Sequence, residues 1–232
     1  MGQIIKYSTL ATILPGCFFM KLLYIKCNPK PEAQSACLRV GREFIRQYEK
    51  RYPGNAIEEL DLYAMDLPEV DGIVYQGRSG IVSGNDYDSL NYEGQQKADQ
   101  INGLCTQFQQ ADHYAIAAPM WSLTFPSRLK AYIDCVVLNG RTIRVSSRRV
   151  EGLMDDKPRR MVFIQSCGGS YGNIISARFN YGATYLKNLF LFLGMDDFIR
   201  LPVDGTGMPD IGVECAVSRA VNRIGSVLHD LE

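Results

Sequence analysis

Three short, almost wholly apolar runs constrain the fold of this chain more than any other feature: Leu-Leu-Tyr-Ile at 22–25, His-Tyr-Ala-Ile-Ala-Ala at 113–118 and Met-Val-Phe-Ile at 161–164. Each is short for a helix and lacks alternation between polar and apolar residues, as expected of a strand covered on both faces. The segments between them carry helical spacing. Strands separated by helices imply a parallel sheet with helices on both sides and right-handed connections.

The helical stretches are readable one by one. Leu38, Gly41, Phe44, Ile45 and Tyr48 line one side of a first helix, which Pro53-Gly54 ends. Residues 57–62 alternate and predict a second strand. The segment 66–92, rich in Gly, Pro, Asp and Ser, predicts a long loop with a helical turn. A polar helix over 93–110 feeds the run at 113–118. Pro126 suits the first turn of the next helix, 126–139, whose Leu129, Tyr132, Ile133, Val136 and Val137 recur at helical spacing. Thr142, Ile143 and Val145 predict a small β excursion. Residues 177–193 form a helix closed by Gly194, 197–203 a fifth strand and 213–231 the last helix, with Val213, Val217, Val221, Ile224 and Leu228 in register.

Apolar residues make up 46% of the 232 and charged residues 22%, so a single large domain with a substantial core is expected. Basic and acidic residues number 25 each, a balance that points to neither a nucleic-acid nor a membrane partner. The local cluster Arg141, Arg144, Arg148 and Arg149 reads as a solvated loop first and a cofactor or substrate contact second. Seven cysteines, odd in number and without a C-x-x-C, indicate neither a disulfide framework nor a zinc site. Several lie in apolar runs, as reduced buried thiols of a cytoplasmic protein do. Residues 1–19 superficially resemble a signal peptide, with Leu14-Pro15-Gly16-Cys17 loosely like a lipoprotein cleavage site. Ser8, Thr9, Thr12, Pro15 and Gly16 interrupt that run, and it is too short to span a bilayer. We expect residues 1–19 to lie outside the domain, as an extension or because translation starts at Met20, and the domain to occupy 20–232.

Three loops follow strand ends where an open α/β sheet binds ligands. The first, 27–35, leads into a helix whose free N–H groups suit a phosphate, with Asn28, Gln34 and Ser35 adding uncharged donors. Its plain structural reading is an N-cap behind two turn prolines, and the glycine spacing of a Rossmann or P-loop motif is absent. The second, Pro119-Met120-Trp121-Ser122-Leu123, carries the chain's one tryptophan, a stacking platform or else a core filler. The third, Ser166-Cys167-Gly168-Gly169, has paired glycines that let backbone N–H groups approach a ligand, or make a flexible turn. Together they favour a planar, phosphate-bearing ligand. The third loop also fits G-x-S-x-G over 168–172, the turn that exposes a hydrolase serine, here Ser170. Its partner would have to be His229, three residues from the C-terminus, so the serine hydrolase stays a minor alternative.

Asn28, Gln34-Ser35, the run 119–126, Gly140-Arg141-Thr142-Ile143-Arg144, Glu151-Gly152-Leu153 and Ser166-Cys167-Gly168-Gly169 together resemble the FMN-dependent NADH azoreductases, which are flavodoxin-like quinone reductases. The similarity runs from about Met20 to the C-terminus, and the segment from Pro119 to Pro126 is its specific part. The resemblance implies a flavodoxin-like five-stranded parallel sheet of order 2-1-3-4-5 and a homodimer with one FMN per subunit. It also implies NADH or NADPH as electron donor and ping-pong two-electron reduction of small-molecule quinones or azo compounds. By position, Asn28, Gln34 and Ser35 would hold the FMN phosphate, Pro119, Met120, Trp121, Ser122 and Leu123 would border the flavin ring, and Ser166, Cys167, Gly168 and Gly169 would close its other side. The family often has Ser at Asn28, Asn at Ser122, Arg at Cys167 and aromatic residues where Ile143 and Val145 stand. We expect these departures to affect substrate preference rather than FMN binding. No protein nucleophile is required, since the flavin carries the hydride chemistry. A flavodoxin-like electron carrier shares this fold but is usually strongly acidic, unlike this neutral chain; a flavin-binding sensor without turnover is the remaining alternative.

Overall fold

The computed structural model of the chain describes residues 19–170 and 178–232. In chain order the elements are β1 (Lys21–Lys26), α1 (Ala36–Arg51), β2 (Ala56–Asp61), the two-residue strands β3 (Tyr75–Gln76) and β4 (Gly80–Ile81), α2 (Asn85–Asp88), α3 (Tyr92–Gln110) and β5 (His113–Pro119). Then follow α4 (Ser127–Val136), β6 (Ile143–Val145), β7 (Val150–Gly152), β8 (Arg160–Cys167), α5 (Tyr181–Leu193), β9 (Asp197–Asp204), α6 (Gly212–Val221) and α7 (Ile224–His229). The five long strands make one parallel sheet, β2-β1-β5-β8-β9, which is the expected order 2-1-3-4-5. The pairs β3–β4 and β6–β7 are small antiparallel hairpins beside it.

The pleat sorts the apolar runs into two cores. Leu23, Ile25, Tyr114, Ile116, Met161 and Phe163 face α3, α4 and α5, while Leu22, Tyr24, Ala115, Ala117, Val162 and Ile164 face α1, α6 and α7. Because both faces are filled, the three runs carry no alternation in sequence. On the α1 side, a side chain at Gly41 would collide with the Tyr24 hydroxyl, so glycine lets the helix sit down on the sheet. At the amino end of the strands, the buried Arg159 donates to Met154 O (2.8 Å), Gln109 O (2.9 Å) and Ala111 O (3.2 Å) and pairs with Asp156. This charge is matched on all sides, as burial of a guanidinium requires.

Four sequence expectations shift. The segment 66–92 holds the β3–β4 hairpin and the helix α2, in pieces too short for any periodicity to register. Pro126 is the N-cap of α4 rather than a first-turn residue, and the helix stops at Val136. The helix expected from 177 begins at Tyr181, capped by Asn180; residue 177 lies outside the described residues. The last helix is broken at Asn222–Arg223, where the Arg223 N–H bonds to Ala220 O, three residues back, and tightens the turn. The buried stripe still runs through the break from Val217 and Ala220 to Ile224 and Leu228, whereas Val213 is exposed at the open first turn. Gly194 closes α5 in the left-handed region, as expected.

Candidate functional site

From β1 the chain goes outward to β2 and then returns across the sheet to β5. The carboxyl ends of β1 and β5 therefore flank the topological switch point, where open α/β sheets form their ligand crevice. β8 lies next to β5, so all three loops singled out in the sequence leave the same end of three adjacent strands. Two backbone bonds fasten them together: Cys27 N–H to Ala117 O (2.9 Å) and Met120 N–H to Ser166 O (2.7 Å).

In the first loop the polar side chains turn inward. The Asn28 amide donates to Ser35 Oγ (2.8 Å) and to Cys37 Sγ (3.5 Å), and its carbonyl accepts from Lys30 N–H (3.0 Å). Ser35 is the N-cap of α1, accepting from Leu38 N–H, and both Asn28 and Ser35 are buried. With both acceptor positions of Ser35 Oγ taken, its proton is directed at Cys37 Sγ, 3.3 Å away. Gln34 is exposed on a single 3-10 turn. The one carboxylate of this loop, Glu32, is paired with Arg42 (3.1 Å). The result is a helix start that offers the first-turn N–H groups of Ala36 and Cys37 and a partial positive charge to an anion. The N-cap reading of Ser35 holds, and Asn28 braces the cap.

The second loop is a two-residue hairpin turn. Trp121 and Thr124 exchange both backbone hydrogen bonds (3.2 and 2.9 Å), and the residues between them, Ser122 (φ 47°) and Leu123 (φ 64°), lie in the left-handed region. A type I′ turn demands that conformation at both central positions, where Asn and Gly are the ordinary occupants. For Ser and Leu it costs roughly 1–2 kcal/mol each. The strain presents Trp121 with 44% of its surface exposed, so it does not fill the core. Pro119 ends β5 with Met120 beside it, both half-buried.

The third loop is stitched to the turn after β9. Thr206 N–H and its hydroxyl donate to Cys167 O (3.1 and 3.0 Å), Gly207 N–H to Gly168 O (3.0 Å) and Gly205 N–H to Gly169 O (2.9 Å). Ser166 and Cys167 are buried, and Gly168 and Gly169 are exposed. A Cβ built on Gly168 meets nothing among the described residues. Burial, followed by the Asp204 carboxylate 2.9 Å from the sulfur, pushes the Cys167 thiol well above the usual range. It is a protonated, unreactive thiol.

The structure thus brings the sequence-selected residues to one end of the sheet, with Asn28 and Ser35 committed to each other and Gln34 and Trp121 outermost. Two contributors went unread in the sequence. One is the loop 205–207. The other is a buried amide pair, Gln165 and Asn180, whose partners are fifteen residues apart and carry no motif. The hydrolase alternative fails on geometry. His229 ends α7, and the carbonyls on either side of it, Leu228 O and Leu231 O, meet Tyr52 and Arg160 at the amino end of the strands, opposite Ser170. It is exposed and contacts Glu232, while Tyr171 and Gly172 of the motif lie outside the described residues. Of the arginine cluster, Arg141 bonds to Gln109 and Thr106, and Arg144 and Arg149 pair with Glu151 on the β6–β7 hairpin, which supports the solvated-loop reading. The described cysteines are all free, and all but Cys215 are buried.

Residues 20–228 match the family described as having a flavodoxin-like fold. The chain is 44% identical over 212 residues to FMN-dependent NADH:quinone oxidoreductase 1 of Clostridium acetobutylicum, covering 91% of this chain and 96% of that protein. It is 39% identical to the FMN-dependent NADH:quinone oxidoreductase of Ruminiclostridium cellulolyticum, covering 91% and 99%. Among solved structures, an FMN-dependent NADH-azoreductase from Bacillus anthracis in complex with FMN superposes with a TM-score of 0.79 at 26% identity, over 91% of this chain and 99% of that one. With this sheet order, this crevice and relatives matched over nearly their whole length, the chain belongs to the flavodoxin-like family that contains these quinone oxidoreductases and azoreductases.

Proposed function

We propose that this chain is an FMN-dependent NAD(P)H oxidoreductase that reduces quinones and azo compounds by two electrons in a ping-pong cycle. The observation that carries the reading is the strained Trp121 turn at the switch point, beside the start of α1 and the exposed backbone of Gly168. These features fit FMN by shape and donor set: a half-exposed flat ring for the isoalloxazine, an exposed glycine, and N–H donors without a competing carboxylate for the phosphate. When bound, FMN supplies the hydride relay between the nicotinamide donor and the acceptor.

The chain's own residues bind and orient. The N–H groups of Ala36 and Cys37, with the Asn28–Ser35 brace behind them, would hold the phosphate, and the exposed Gln34 would add a donor. Trp121, carried by the Ser122–Leu123 turn, would border the flavin ring together with Met120 and Pro119. Ser166, Cys167, Gly168 and Gly169 would close the ring's other side. No side chain need act as nucleophile or proton shuttle: both histidines lie at the opposite end of the strands, and Cys167 keeps its proton. Among the described residues no helix is long and apolar enough to cross a membrane. Residues 20–232 form the working domain, acting as a homodimer in the cytoplasm, with residues 1–19 outside it. A chain starting at Met20 is expected to retain its fold and turnover; loss of either on truncation would remove that boundary.

The test of activity is direct. FMN-loaded protein should oxidise NADH or NADPH when menadione or an azo dye is added, with parallel-line kinetics in the two substrates. Protein that holds FMN yet leaves both nucleotides unoxidised with every acceptor would overturn the assignment.

A further inference from the structure

We propose that Asn180 and Gly182, at the start of α5, are positioning residues that hold the Trp121 turn in its strained conformation; the inference rests on the reading of this turn as part of the cofactor site. A turn with Ser122 and Leu123 both at positive φ persists only where its surroundings over-determine it. Its own two hydrogen bonds, between Trp121 and Thr124, are satisfied equally by a type II′ turn, so they do not by themselves require positive φ at Leu123.

What selects it is the packing of α5. Gly182 N–H donates to Leu123 O (3.3 Å), the carbonyl of the second strained residue. A Cβ on Gly182 would sit 2.9 Å from Thr124 C and 3.0 Å from its Cα, so the helix start lies against the turn's backbone with no room for a methyl group. Phe125, the next residue, packs its ring on Tyr185 of the same helix at 5.8 Å. The helix start is itself anchored to the sheet. Asn180 Oδ1 caps it by accepting Ala183 N–H (3.0 Å), and its Nδ2 donates to Gln165 Oε1 (2.6 Å) on β8, the residue before Ser166. Asn180 and Gln165 are both buried. A continuous set of contacts therefore runs from the carboxyl end of β8 through Asn180 to Gly182 and the turn that carries Trp121.

The Gln165 amide adds a specific signature. Its Nε2 is buried without a partner among the described residues, as Oε1 faces Asn180. Replacing Asn180 with an acceptor-only group invites the Gln165 amide to flip and donate that spare N–H, remaking the link from the other side. Asn180→Asp thus keeps both cap and link. Asn180→Ser keeps the cap, since serine is a good N-cap, but is too short to reach Gln165.

The experiment compares wild type, Asn180→Ser, Asn180→Asp and Gly182→Ala in two readouts: the emission of Trp121, the chain's one tryptophan, without FMN, and the dissociation constant for FMN. We expect Asn180→Ser and Gly182→Ala to shift Trp121 emission and to weaken FMN binding about ten-fold, as when the competent turn falls to about a tenth of the population. Asn180→Asp should match wild type in both. If Asn180→Ser does not fold, Gly182→Ala, which leaves cap and link in place, carries the test alone. Unchanged emission and FMN affinity in the folded variants would overturn the positioning role, as would an Asn180→Asp variant impaired as badly as Asn180→Ser. Failure of the wild type to bind FMN would instead overturn the cofactor reading, and the emission of the FMN-free variants would still decide whether α5 holds the turn.

Discussion

Trp121, Ser122 and Leu123 show how a residue can be unsuited to its conformation and still be in place. Neither Ser nor Leu favours positive φ, so local propensity gave no warning of a type I′ turn; the sequence shows only a loop between two prolines. The clue lies in the resemblance, where the family's frequent Asn at the position of Ser122 is a residue type that tolerates the left-handed region. Asn28 is a different case: it stands in the loop the sequence singles out, but its amide is spent on Ser35 and Cys37, a commitment that spacing cannot reveal. The exposure of Trp121 leads to a clean expectation. Trp121→Ala should weaken FMN several-fold, the scale of an aromatic stacking contribution of about 0.5–1.5 kcal/mol. A tryptophan in the core would instead cost about 3–5 kcal/mol of stability. Melting of the FMN-free variant beside an FMN titration separates the two, and a large loss of stability with unchanged affinity would contradict the platform role.

At the scale of elements, the strands buried on both faces were legible because their apolar runs have no competing pattern; β1 and β5 end within a residue of those runs, while β8 continues three residues past its run through Gln165, Ser166 and Cys167. The two-residue strands and the break between α6 and α7 were not, since neither leaves a periodic trace. His113, at the head of β5, belongs to this scale. Tyr48 O–H, which accepts from Asn55 Nδ2 (3.0 Å), donates to His113 Nδ1 (2.9 Å), and burial pulls the imidazole down to about 4. The folded chain therefore holds this histidine neutral while the unfolded chain protonates it near its ordinary value. Its contribution is intact above about pH 6.5 and falls away as the pH drops toward 4. Between pH 7 and 5 the loss should be about 2 kcal/mol. Denaturant melts of wild type and His113→Gln at the two pH values check it: the wild type should lose that much more than the variant, and parallel losses would show that His113 is not the titrating group.

For the whole molecule, the helix–strand alternation dictated the class of fold, while the strand order came with the family resemblance, because nothing in a single sequence says which strand lies beside which. That order matters for function: it creates the switch point and collects three loops spread over more than a hundred residues of sequence. Leu123, Tyr181 and Tyr185 are exposed beside the Trp121 turn, and the proposed homodimer would give them a cover. We expect light scattering to give about twice the 26.0 kDa chain mass, whereas a monomer at micromolar concentration would leave this surface without its proposed cover.

The cofactor site itself can be read from inside, because the chain has a single tryptophan and it stands on the proposed platform. Titrating FMN into the FMN-free protein while following Trp121 emission should quench it to a plateau at one FMN per chain, with the Trp121→Phe variant supplying the zero. Binding that leaves Trp121 emission untouched, or no uptake of FMN, would contradict a flavin seated at the carboxyl ends of β1, β5 and β8.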